Sequence, residues 1–150
     1  MNRTIFQLNG LAILALLSGC FHSDISTKSS AVTTAYSAEP EAVMLALEAV
    51  SKSKADYQYS VSGPTEARIV YNPKGIMNSH ATVEVKASSV SGTNQRGEKV
   101  TGTKLMFKDV TAWLLADVSF SGMDVARELE SGLKEYMQFK GVKFEPVMQE

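Results

Sequence analysis

The chain of 150 residues has one cysteine, one tryptophan and two histidines. A single cysteine excludes a disulfide framework. With only two histidines beside it, no Cys/His spacing remains for a structural metal, and the composition calls for no cofactor. No charge of one sign dominates either, since 15 basic and 16 acidic side chains leave a formal net charge of −1. That balance argues against nucleic acid as a partner, which needs a concentrated basic footprint. Long apolar runs are also missing. The continuous run from Leu11 to Leu17 has seven residues, whereas a membrane-spanning helix needs about 20. Gly92, Gly97 and Gly102 lie in turn or strand context with no helix after them, so they make no phosphate-binding loop.

What is present begins with that short run. Arg3 makes a basic start, Leu11–Leu17 an apolar centre, and Ser18 and Gly19 a small-residue cut site, the pattern of a secretory signal peptide over residues 1–19. Leu17-Ser18-Gly19-Cys20 then resembles the lipobox of bacterial lipoproteins, a resemblance confined to the signal region. It implies cleavage between Gly19 and Cys20, a diacylglyceryl group on the Cys20 sulfur, and acylation of the new amino terminus. It also implies a membrane partner reached through lipid. Phe21 stands where an aspartate would favour retention in the inner membrane, so the implied location is the periplasmic face of the outer membrane. The competing reading is an incidental or buried cysteine beside an ordinary cleavage site.

Removing residues 1–19 takes away Arg3 and no acid, leaving 131 residues with 14 basic and 16 acidic side chains. Phe21–Ala38 reads as a flexible tether, because eight of its 18 residues are serine or threonine and its apolar residues keep no period. Such a tether spans about 23 Å on average. Docking of Val32 and Tyr36 on the domain would shorten that reach. Residues 39–150 are left for one globular domain.

Within it, Val43, Leu47 and Val50 share a helical face, with Met44 and Ser51 beside them and Pro40 in the first turn. From Tyr57 the period changes to two. Tyr57, Tyr59 and Val61 alternate with polar residues, "ARIVYN" forms a second strand, and Val83, Val85 and Ala87 alternate with Glu84 and Lys86. Ser91–Gly97 is a polar turn. An extended segment then runs from about Lys99 to Phe120, with a bend or bulge at Lys108-Asp109 and apolar residues on both faces around Trp113. Ser121 and Asp124 fit a capping box, after which Val125, Leu129, Leu133 and Tyr136 share a face and Gly141 stops the helix. "VKFEPV" suits a last strand, with Pro146 at an edge. The predicted fold is α+β: a two-layer domain, with an antiparallel sheet of about four to six strands packed against two helices.

Catalytic patterns are scarce. Ser79 and His80 are adjacent in a strand and point to opposite faces, so they would not meet. His22 lies in the tether, and Glu128, Glu130 and Glu135 read as a solvated helix face. Tyr57, Tyr59, Tyr71 and Trp113 could line a ligand or partner surface, although such a set is more often core. The sequence therefore predicts no enzyme but a lipid-anchored cell-envelope protein, a binding or assembly module with an envelope protein partner. The alternative is a carrier or chaperone for an apolar ligand, in a cavity lined by Leu114, Val118, Leu129 and Leu133. An envelope hydrolase with dispersed residues stands third.

Overall fold

The computed structural model describes residues 25–26, 32–73, 80–111 and 121–149. In chain order these form β1 (Ile25–Ser26), β2 (Val32–Tyr36), α1 (Pro40–Lys52), β3 (Tyr57–Gly63), β4 (Glu66–Tyr71), β5 (Ala81–Thr93), β6 (Lys99–Asp109), α2 (Gly122–Phe139) and β7 (Phe144–Gln149). Every strand pairing is antiparallel, and both helices pack on the sheet and on each other. The domain is α+β, as its pattern of elements predicts.

The two helices follow their apolar spacing. Pro40 opens α1, where its missing N–H removes no bond, and Val43, Met44, Ala46, Leu47, Val50 and Ser51 are buried. At the start of α2 the Ser121 hydroxyl accepts from the Asp124 N–H at 3.2 Å, and the Asp124 carboxylate accepts from the Ser121 N–H at 3.3 Å. This reciprocal cap satisfies two otherwise orphaned donors. Val125, Ala126, Leu129, Leu133 and Met137 form the buried face of α2. Gly141 follows at φ +76°, a left-handed conformation that glycine adopts without steric cost. Leu114 and Val118, the expected neighbours of Leu129 and Leu133, lie outside the described residues.

The sheet order is β1-β6-β2-β7-β5-β4-β3, and β6 also pairs with β5. Strands β5, β6, β2 and β7 therefore close on themselves. Burial along β5 explains how. Ala81, Val83, Val85 and Ala87 are buried with residues of α1 and α2, and then the pattern changes phase to Val90 and Gly92. Val90 joins Ala35 of β2 and Val147 of β7 in a second small core, with Val100 packed against it. Successive strand residues point to opposite faces. The long β5–β6 hairpin is thus covered by helices on one face and, nearer its turn, by β2 and β7 on the other.

Two glycines permit that closure. A Cβ on Gly92 would lie 2.1 Å from the Met148 carbonyl oxygen, and one on Gly102 would lie 2.5 Å from that of Tyr36. Between these strands, Asn94 organises the hairpin turn. Its side-chain oxygen accepts from the Arg96 and Glu98 N–H groups at 3.0 and 2.9 Å, and Gly97 takes φ +79°.

Strand β2 corrects the expected tether. Residues 32–36 do not belong to a flexible linker ending at Ala38, because they pair in register with β7 from Val32–Met148 to Tyr36–Phe144. Ala35 and Tyr36 are buried. The next residues are fixed as well, since Ser37 N–H donates to the Lys143 carbonyl at 2.8 Å and the Thr103 hydroxyl to that of Ala38 at 2.6 Å. Upstream, Ile25 and Ser26 pair with Asp109 and Lys108 of β6. The domain boundary lies inside the serine- and threonine-rich stretch, not after it.

The extended segment breaks at Lys108-Asp109, the expected place of a bend or bulge. The strand ends at Asp109, whose buried carboxylate accepts from the Thr111 N–H and hydroxyl at 2.9 and 2.6 Å and from the Gly122 N–H at 2.8 Å. A helix N-terminus favours a carboxylate there, so Asp109 joins the end of the sheet to the start of α2. Residues 112–120, Trp113 among them, lie outside the description.

Candidate functional site

Strand register brings two of the singled-out tyrosines together. Tyr57 and Tyr71 are direct partners across β3 and β4, with ring centroids 5.0 Å apart at 46°. Tyr57 belongs to the buried core cluster, while Tyr59 and Tyr71 pack against it half-buried. Their rings fill space between sheet and helices. Trp113 lies outside the described residues.

The Tyr57 hydroxyl is already engaged. It donates to Glu128 Oε2 of α2 at 2.7 Å, and Lys54 Nζ binds the other carboxylate oxygen. Glu128 is therefore not simply part of a solvated face, as its spacing on the helix had suggested. Its side chain is 52% exposed, yet it ties α2 to the start of β3. Burial first, and then the hydrogen bond and charge of Glu128, push the Tyr57 phenol above its ordinary value. The bonds from Lys54 and then Tyr57 hold the Glu128 carboxyl below the usual glutamate value, against a smaller opposing effect of burial.

A carboxylate whose folded value is lowered stabilises the fold above its ordinary titration range. That contribution is lost as pH falls through the lowered value. At neutral pH, Glu128→Gln should cost about 0.5–1 kcal/mol, the range of an exposed ion pair with one further hydrogen bond. On acidification the wild-type chain should lose that advantage, and the two stability curves should converge. Urea titrations at neutral and acid pH check this, and parallel curves would contradict it.

The face of β3–β6 opposite the helices carries a different chemistry. Arg68 pairs with Glu84 at 3.0 Å and Lys86 with Glu66 at 2.7 Å, each across adjacent strands in register. Met106 is the exposed apolar residue among them. A depression of about 470 Å³ lies there, lined by Ser62, Glu66, Glu84, Lys86, Met106 and Lys108 among others. A second, of about 520 Å³, lies beside β2 and β7, with Val100, Val142, Phe144, Arg96, Lys143 and Glu145 in its lining. A third, of about 480 Å³, runs along Ser89–Ser91 and Thr101–Thr103. These surfaces can receive a partner through mixed charge and small apolar contacts. None of the three includes Tyr57, Tyr59 or Tyr71.

The Tyr36 hydroxyl is buried without a hydrogen-bond partner among the described residues, and burial raises its phenol above the ordinary value. It lies in the core and lines none of the depressions. His80 is exposed just before β5, whereas Gly19, Cys20, His22 and Ser79 fall outside the described residues. Among the described residues no three His, Cys, Asp or Glu side chains gather as a metal site, and no helix is long and apolar enough to cross a membrane. Comparison of the chain with protein-family models, with curated proteins and with solved structures found no match.

Proposed function

We propose that this chain is a lipid-anchored cell-envelope protein whose α+β domain serves as a binding or assembly module of an envelope complex. In a cell with two membranes it sits on the periplasmic face of the outer membrane. The observation that carries this reading is Leu17-Ser18-Gly19-Cys20 behind its basic start and apolar centre. Strand β1 begins five positions after Cys20, a stretch that spans at most about 18 Å. The domain would be held near the membrane surface, closer than a linker ending at Ala38 would place it. Two or more acyl chains anchor stably where one holds marginally.

Binding through the surface is favoured over carriage of an apolar ligand. A carrier needs an empty apolar cavity; Leu129 and Leu133 belong to the buried core cluster, and Leu114 and Val118 lie outside the described residues. The charged sheet face and the depressions beside it are the surfaces on which a partner would dock.

Fractionation tests the anchoring half of the reading. The wild-type chain should sediment with membranes, and Cys20→Ser should leave the mature lipidated form absent, with an uncleaved or mislocalised chain in its place. An unchanged membrane-bound mature product in Cys20→Ser cells would overturn the proposal.

A further inference from the structure

On the lipid-anchored reading, a short leash decides which end of the domain faces the bilayer. Ile25 follows Cys20 by five positions and pairs with Asp109 at the end of β6. The Asp109 carboxylate accepts from the Gly122 N–H at 2.8 Å, so α2 begins at this end too. Both elements lead away from it. Strand β6, 11 residues long, runs back to Lys99 over about 33 Å, and α2, 18 residues long, reaches Phe139 over about 26 Å. The depression of about 520 Å³ lies where they finish, between Arg96 and Val100 on one side and Gln138, Val142 and Lys143 on the other. The depression beside Met106 and Lys108 lies at the anchored end, because Lys108 pairs with Ser26.

The far end joins an exposed aromatic ring to unpaired cations. Phe139 is 85% exposed, the most exposed large apolar side chain among the described residues, and it follows Gln138 of the lining directly. Aromatic residues are enriched at protein interfaces. Lys140 Nζ lies 5.9 Å from the Phe139 ring and 5.5 Å from that of Tyr136, a cation–π contact that keeps the ammonium beside the aromatic. Among the described residues Lys140, Lys143 and Lys99 have no carboxylate partner. Two acids near them are engaged: Glu98 holds Arg96 at 2.9 Å, and Glu145 accepts from the Asn94 amide at 3.0 Å. Glu135 stands one turn before Phe139, a single carboxylate against the lysines, and Glu39 lines the neighbouring depression.

We propose that this end docks a segment of an envelope protein in which carboxylates flank an apolar side chain. The apolar side chain packs on Phe139 and enters the depression beside Val100, Val142 and Phe144, while the carboxylates meet Lys140 and Lys143. The inference rests on the lipid-anchored reading, which decides the end that points away from the bilayer. Unpaired lysines attract an acidic segment and repel a basic one, so charge sets the choice of partner and the rate of encounter. The anchoring bilayer is the poorer occupant, because Phe139 lies a full helix length from the anchored end. A second copy is poorer too, since a two-fold contact brings the same patch against itself and lysine against lysine. One depression and one ring bury little surface, so the contact belongs to the weak, transient class.

A covalent trap suits a weak contact. The full chain carrying Phe139→p-benzoylphenylalanine is expressed in its own host cells and irradiated, and adducts are read on gels and by mass spectrometry of the crosslinked peptide. One discrete adduct should form with a different protein, through a peptide that carries aspartate or glutamate beside an apolar residue. Adding Lys140→Glu and Lys143→Glu should lower its yield at least about tenfold, because like charges then face each other. Lys140→Arg with Lys143→Arg should retain most of it. Both side chains are exposed, so thermal unfolding of these variants should match that of the parent chain. An adduct that survives the glutamate changes would overturn the proposal. So would a crosslinked peptide without acids, adducts only with lipid or with a second copy, or no adduct at all. The amino-terminal peptide from the same samples separates the two claims. A lipidated chain without the adduct removes the docking surface alone, and an adduct on an unlipidated chain removes the anchor alone.

Discussion

A chain that begins at Ser37 should fail to unfold cooperatively, whereas one that begins at Phe21 should give a single sharp transition. Truncation at Ser37 removes β2 whole. Tyr36 and Ala35 leave two buried cores, and β7 loses its partner along five register pairs. Removing one large buried side chain typically costs about 3–5 kcal/mol. A domain of ordinary stability has only about 5–15 kcal/mol in total. Loss of Tyr36 alone would consume much of that, and β7, left with only its two register pairs to β5, adds further cost. Far-ultraviolet circular dichroism during heating checks the comparison. A Ser37 chain that melts within a few degrees of the longer one would contradict the placement of β2.

Gly92→Ala should destabilise by about 3 kcal/mol, at the upper end of overpacking costs. In most strands this change adds stability, since alanine loses less conformational entropy on folding than glycine does. Here the new Cβ meets the Met148 carbonyl oxygen at 2.1 Å and Val147 Cγ1 at 2.6 Å. Relief requires β7 to move away from β5, which opens the small core of Ala35, Val90 and Val147. Gly63→Ala is the control, because its Cβ would meet only Glu66 side-chain atoms, at 3.6 Å and beyond. Chemical denaturation should place Gly63→Ala close to wild type and Gly92→Ala far below it. Similar midpoints for the two variants would contradict the closure of β5 on β7.

The helices and the middle strands were legible because their signals are local. Val43, Leu47 and Val50, or Val125, Leu129 and Leu133, repeat at helical spacing, and the Ser121–Asp124 cap lies within four residues. Strands β3, β4 and β5 alternate visibly. Strand β2 was not legible, because Val32-Thr33-Thr34-Ala35-Tyr36 carries few apolar residues and becomes a strand through pairing with β7, more than a hundred residues away. The phase change in β5 hides in Ser88-Ser89, two residues that fit either face. The Tyr57–Tyr71 contact follows from a register that composition does not reveal. Glu128 has the spacing of a solvated acid, and only the packing of α2 beside Lys54 and Tyr57 distinguishes it from Glu130 or Glu135. The readable part of the proposed function is the four residues ending at Cys20, whose chemistry is independent of the fold behind them.

Cys20 carries the proposed membrane anchor, and the mass of the amino-terminal peptide tests it directly. Protein extracted from membranes with detergent, digested and measured by mass spectrometry, should yield a peptide beginning at Cys20. It should carry the added mass of a diacylglyceryl thioether and of an acyl group on its amino nitrogen. A peptide that retains Met1–Gly19, or one that contains Cys20 as an unmodified thiol, would contradict the lipid-anchored reading.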